Sequence, residues 1–167
     1  DTVIPHRSTR KSRNESPGRI LIEDTLSDGV TVHHTLQTEH DGVSFFITAS
    51  NETQLPSDVH WAQPCMRIDK FTGCPPTEAR DVLPSYIRKC FLAIDNELRW
   101  LPTTPWATQA LYTPGQVYCP KGVPRGDVNP RPLSTFVPSH GLCGCVSKDK
   151  QWIIGIVWEP YQEIFQG

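Results

Sequence analysis

Val30 to Ser50 reads VTVHHTLQTEH, then Asp41-Gly42, then VSFFITAS, and this stretch decides the fold class. Asp-Gly between two runs of β-branched and aromatic residues is a hairpin signal, because a two-residue type I′ turn needs positive φ at both central positions. With Asp41-Gly42 as the loop, the register predicts His40 opposite Val43, Thr38 opposite Phe45, Leu36 opposite Ile47 and His34 opposite Ala49. Side chains alternate along a strand, so Val30, Val32, Leu36, Phe45, Ile47 and Ala49 share one face, while Thr31, His33, Thr35, Gln37, Glu39, Ser44 and Thr48 share the other. One dry and one wetter side is the mark of an antiparallel sheet. Fold class is legible here; function is not.

Two more hairpins follow the same logic. YIRKCFLAI, Asp95-Asn96 and ELRWL predict Ala93 opposite Leu98, Phe91 opposite Trp100 and Leu92 opposite Arg99. GLCGCVS, Lys148-Asp149-Lys150 and QWIIGIVWE form the third. Trp152, Ile154, Ile156 and Trp158 alternate there with Ile153, Gly155 and Val157, so both faces are apolar and this strand is expected at the centre of a sheet. Gly18 to Glu23 adds a short apolar β run before the turn residues Ser27-Asp28-Gly29. Val59 to Ile68 reads as a strand that Pro64 either confines to an edge or interrupts with a bulge. Pro75 to Leu83 has room for two helical turns behind Thr77. Pro102 to Pro138 has no usable period and far exceeds the ~4–6 residues of an ordinary connection. The expected fold is all-β, an antiparallel β-sandwich with long Pro-rich loops, or alternatively a β-barrel.

The chain has 167 residues, enough for one domain with a sizeable core. Residues 1–17 carry His6, Arg7, Arg10, Lys11 and Arg13 without apolar periodicity and read as a basic N-terminal arm, leaving 18–167 as a single β-sandwich domain. Lys and Arg number 16 against 18 Asp and Glu, so the near-neutral balance gives no basic stripe for nucleic acid. No apolar run approaches the ~20 residues of a membrane span. Six cysteines allow three disulfides, and Asn14-Glu15-Ser16 and Asn51-Glu52-Thr53 match the glycosylation acceptor pattern. Together they point to an extracellular or periplasmic protein.

Three constellations bear on function. The long loop carries Trp106, Tyr112, Tyr118, Lys121, Arg125, Asp127 and Arg131, with Trp100 just before it. Aromatic faces among directed polar groups suit a sugar or another flat, partly apolar ligand, so Trp100, Trp106, Tyr112, Tyr118, Arg125 and Asp127 form the expected ligand-binding set. His140-Gly-Leu-Cys143-Gly-Cys145 is the densest group of soft ligands; its cysteines are expected as disulfides or buried core thiols. His33, His34 and Glu39, with His140, are the side chains that could take a divalent transition metal, although His33 and Glu39 share one face of their hairpin and His34 and His40 the other.

The segment Gly29-VTV-His33-His34-TLQT-Glu39, with Pro120-Lys-Gly122 followed by Arg125 and Asn129, resembles the two motifs of the cupin family of metal-holding β-barrels. Its histidines are adjacent where that family separates them by one residue, and Arg125 stands where a ligand histidine belongs. The resemblance implies a cupin-like barrel and a metal-dependent enzyme. Three functions are therefore weighed. The first is a non-catalytic extracellular module binding carbohydrate or a similar ligand, with no cofactor. The second is the cupin-like enzyme with its transition metal. The third is an assembly subunit, a homo-oligomer whose basic arm reaches a neighbouring copy.

Overall fold

The computed structural model of the chain describes residues 7–57, 62, 64–74, 85–101, 116–122 and 134–166. The protein is nearly all β, with antiparallel sheets throughout. Where the sequence suggests one domain over 18–167, packing groups the chain into two compact units, Val3–Gln63 and Pro64–Gly167.

The first unit is a meander. Strands β1 (Ser8–Ser16), β2 (Arg19–Leu26), β3 (Thr31–Thr38) and β4 (Val43–Ser50) pair in sequence order. Ser8–Ser16, read from the sequence as part of a basic arm, forms the outer strand of this sheet. It shows no apolar period because its residues are almost all exposed, and pairing with β2 sets its conformation. Pro17-Gly18 joins the two strands, with Gly18 at φ +73° and its carbonyl accepting from both Thr38 N (2.9 Å) and Thr38 Oγ1 (3.2 Å). The pairing skips Lys11, a bulge that separates the Arg10–Asp24 and Ser12–Glu23 pairs.

In the decisive hairpin, Leu36 faces Phe45, His34 faces Ile47 and Thr38 faces Val43. The register is two residues from the expected one, because residues 39–42 form a four-residue loop in which Glu39 N donates to Gly42 O (2.9 Å). Neither Asp41 nor Gly42 takes the positive φ of a type I′ turn. A slip of two preserves the faces, since side chains repeat with period two. Ile20, Ile22, Val32, Leu36 and Ile47 accordingly share one half-buried side.

The second unit contains a short helix, α1 (Asp69–Thr72), closed by Gly73 at φ +68°, and a 3-10 turn at Ser85–Lys89 that leads into β5 (Cys90–Ile94). Then come β6 (Glu97–Trp100), β7 (Gln116–Tyr118), β8 (Pro138–Val146), β9 (Ile153–Val157) and β10 (Ile164–Gln166). One sheet has the order β6-β5-β8-β9, and β7 pairs with β10 in a second. The Asp95-Asn96 turn is as expected: both residues have positive φ (54° and 62°), and Ala93–Leu98 and Phe91–Trp100 face each other. The third hairpin forms too, but its apolar strand β9 lies at the sheet edge and β8 takes the interior. Small residues explain this. The Phe91 ring lies over Gly144, where an added Cβ would come within 2.4 Å of Cζ, and a Cβ added at Gly141 would meet the Trp158 carbonyl at 2.1 Å and the Tyr161 ring at 3.0 Å.

Tyr86, Ile87, Cys90, Leu92, Ile94, Leu101, Tyr118 and Cys145 form the core, with Ile68, Phe71, Cys74, Cys143 and Ile164 packed against it. Residues 64–68 carry no strand. The helix expected over Pro75 to Leu83 lies outside the described residues.

Candidate functional site

Alternation divides the β6-β5-β8-β9 sheet into two unlike sides. Cys90, Leu92 and Ile94 of β5 and Cys143 and Cys145 of β8 turn toward the core. The other side carries a row across all four strands, Trp100, Phe91, Gly144 and Gly155, each opposite the next. Leu98, Ala93, Ile153 and Val157 flank that row. Phe91 is 7% exposed, whereas Trp100 is 60% exposed. Their rings meet edge to face, centroids 6.3 Å apart at 75°, a geometry the aromatic quadrupole favours. Trp100 is thus positioned by a buried neighbour while most of its surface stays open. Glu97 and Arg99 alternate onto the opposite face of β6 from Trp100, with Arg99 Nη2 3.4 Å from Asp95 Oδ2 and 3.5 Å from Glu97 Oε2.

Of the expected ligand-binding set, Trp100 is therefore at a surface. Tyr118 is not. It belongs to β7 and is wholly buried, with its hydroxyl pushed above the ordinary phenol range by burial and then by the nearby Cys143 and Cys90 thiols. A three-residue strand inside a proline-rich stretch has no period by which to announce itself. Trp106, Tyr112, Arg125 and Asp127 lie outside the described residues. Leu98 and Phe91 were missed as site residues; their signal was the hairpin register itself, which puts both beside Trp100.

The histidine set is dispersed. His33 and His34 point to opposite faces, each beside a carboxylate of β2: His33 Nδ1 lies 3.7 Å from Glu23 Oε2, and His34 Nε2 lies 3.6 Å from Asp24 Oδ2. Asp24 also accepts from Arg10 Nε at 2.5 Å, so Arg10, Asp24 and the half-buried His34 come together across three strands. Glu39 accepts a hydrogen bond from Ser44 Oγ (2.9 Å). His140 is exposed on β8, in the other unit. Among the described residues no group of three or more His, Cys, Asp or Glu side chains is arranged to hold a metal ion. Arg125 and Asn129, the remaining cupin-like positions, lie outside them.

The expected disulfides are not seen: among the described residues no two cysteines stand at disulfide distance. Cys90 and Cys145 face each other across β5 and β8, and Cys90 Sγ donates to Tyr86 O at 3.4 Å. Burial raises Cys90 above the usual thiol range, reinforced by Cys143, Cys145 and Cys74. Burial and the neighbouring Cys145 push Cys143 up to about 11. Burial also raises Cys145, opposed by its hydrogen bond with Cys90. Thiols held protonated in this way are weak nucleophiles and serve as packing.

No family model matches the chain, and neither the curated proteins nor the solved structures contain a significant match to it. No helix among the described residues is long and apolar enough to cross a membrane.

Proposed function

We propose that the chain is a non-catalytic binding module whose ligand surface is the exposed β6 margin of the β6-β5-β8-β9 sheet, around Trp100 and Leu98, and that it takes carbohydrate or a similarly flat, partly apolar ligand. One observation carries the reading: Trp100 is mostly exposed yet fixed by the buried Phe91 ring. A pre-oriented aromatic plane loses little rotamer entropy when a sugar face stacks on it, which favours binding without a deep pocket. An extracellular or periplasmic location belongs to the same proposal. The exposed acceptor sequences at Asn14 and Asn51 support it.

The test is a glycan array with the wild-type chain and Trp100→Ala, circular dichroism serving to check the fold. The expected result is binding to at least one glycan class, weakened about tenfold or more by the substitution, as loss of a stacked aromatic in a central contact costs more than about 1.4 kcal/mol. Absence of binding to every glycan overturns the proposal. The assembly reading is favoured by a separate observation, that among the described residues β9 pairs on one side only; Ser8–Ser16, the arm first considered for it, is paired with β2.

A further inference from the structure

The most apolar strand of the second unit lies at an edge. Among the described residues β9 has one hydrogen-bonded neighbour, β8. Trp152 is 69%, Ile153 68% and Val157 61% exposed. Exposed apolar edges of this kind are templates for pairing with another chain, and monomeric proteins ordinarily blunt them with charge, proline or a bulge. None of these interrupts Ile153–Val157.

We infer that β9 pairs antiparallel with β9 of a second copy of this chain about a two-fold axis at Gly155, joining two four-stranded sheets into one. Three features favour a second copy as the occupant. The first is backbone direction. Trp152 O accepts from Ser147 N (2.9 Å) and Trp158 N donates to Gly141 O (3.0 Å). Even-numbered residues therefore direct their backbone groups toward β8, and Ile153, Gly155 and Val157 direct theirs to the open edge. A two-fold at Gly155 sets Gly155 against Gly155 and Ile153 against Val157 as hydrogen-bonded pairs, so the outward groups are the ones that meet.

The second is the near-palindrome Ile-Ile-Gly-Ile-Val. In that register Ile153 packs beside Val157 of the second copy on one face. Ile154 packs beside Ile156, and Trp152 beside Trp158, on the other. Matching one surface patch to itself is the requirement of an isologous interface.

The third is charge. Lys148 and Lys150 precede β9, while Glu159 and Glu163 follow it. Asp149 is held within the turn, accepting from Ser147 Oγ (2.5 Å) and Gln151 N (3.1 Å), and Glu159 accepts from Gly141 N (3.3 Å) while its charge stays at the acidic end. Antiparallel pairing brings the basic end of each strand to the acidic end of the other; parallel pairing would set like on like. Because paired residues share a face, the two Trp100 surfaces would lie on the same side of the joined sheet.

Gly155→Pro tests this. The position has no positive φ, and an added Cβ meets nothing closer than Leu142 Cδ1 at 3.5 Å. Its N–H points away from β8, so proline there leaves the intramolecular ladder intact while removing two intermolecular hydrogen bonds from the dimer. Sedimentation equilibrium of the full chain is expected to show a monomer–dimer equilibrium, with the dimer Kd raised about tenfold or more by Gly155→Pro. Ile153→Lys, at an exposed position outside the core, is expected to weaken the dimer as well and serves if the proline variant misfolds. Amide exchange at Ile153, Gly155 and Val157 should slow as the dimer forms. A monomer at every concentration overturns the inference, and so does a dimer that tolerates both substitutions.

Discussion

The two four-stranded sheets use the same period-two alternation and end in different physical states. In the first, Asp24 is the one buried residue of β1 to β4, and the apolar side of the sheet is half-covered. In the second, every residue of β5 is buried. The difference lies in what covers the faces of each sheet. The second unit wraps Tyr86, Ile87, Leu101 and Tyr118 around Cys90, Leu92 and Cys145, whereas the first holds its strands by consecutive hairpins and by the Arg10–Asp24–His34 network. Alternation decides which residues share a face. Stability follows from whether another element closes over it.

The largest expected effect breaks the covered sheet. Leu92→Ala removes a wholly buried side chain and should cost about 2–5 kcal/mol in urea unfolding. Ile47→Ala, on the half-buried side of β4, should cost only about 1 kcal/mol. Equal losses would mean that the two sheets are covered alike.

A glycine pair sharpens the contrast. Gly144→Ala drives a methyl into the Phe91 ring and the Ile154 carbonyl, and overpacking of this kind costs about 1–3 kcal/mol. Gly42→Ala, with nothing within 4 Å, should stay within about 0.5 kcal/mol. The same denaturation curves check both.

Alkaline titration gives a smaller effect confined to the second unit, since Val3–Gln63 contains no cysteine. Unfolded thiols lose protons near the ordinary value of 9.0, whereas folded Cys143 holds its proton up to about 11. Between these values the folded state binds more protons than the unfolded one. The associated stability is therefore whole below about pH 9 and declines as pH rises through about 11. The urea midpoint should fall across this window, less steeply in Cys143→Ala. A flat profile in the wild type would contradict the buried, protonated thiol cluster.

How much of this was legible in the sequence depends on which residues carry the information. Both turn-centred hairpins and the faces of β3 and β4 could be read because side-chain period is a local property. The first hairpin's register missed by two residues because Asp41-Gly42 is compatible with a two-residue or a four-residue loop, and only pairing decides between them. β9 was expected at the centre because it is the most apolar strand, yet close packing against Phe91 and Tyr161 selects the glycines of β8 for the interior. β1 was hidden by its polarity, although Pro17-Gly18 was a turn signal that could have revealed it. Trp100 stood out at a loop margin. The Asp24 network did not, since its partners come from three strands and depend on the bulge at Lys11.

Hydrogen exchange read by mass spectrometry on the intact chain tests the contrast between the sheets most directly, because amide protection reports how much structure must open. Peptides covering Cys90–Ile94 and Pro138–Val146 should exchange slowest in the protein, and those covering Thr31–Thr38 and Val43–Ser50 much faster. Protection in β3 and β4 equal to that of β5 and β8 would contradict the claim that coverage of the sheet faces, rather than strand pairing, sets where this protein is stable.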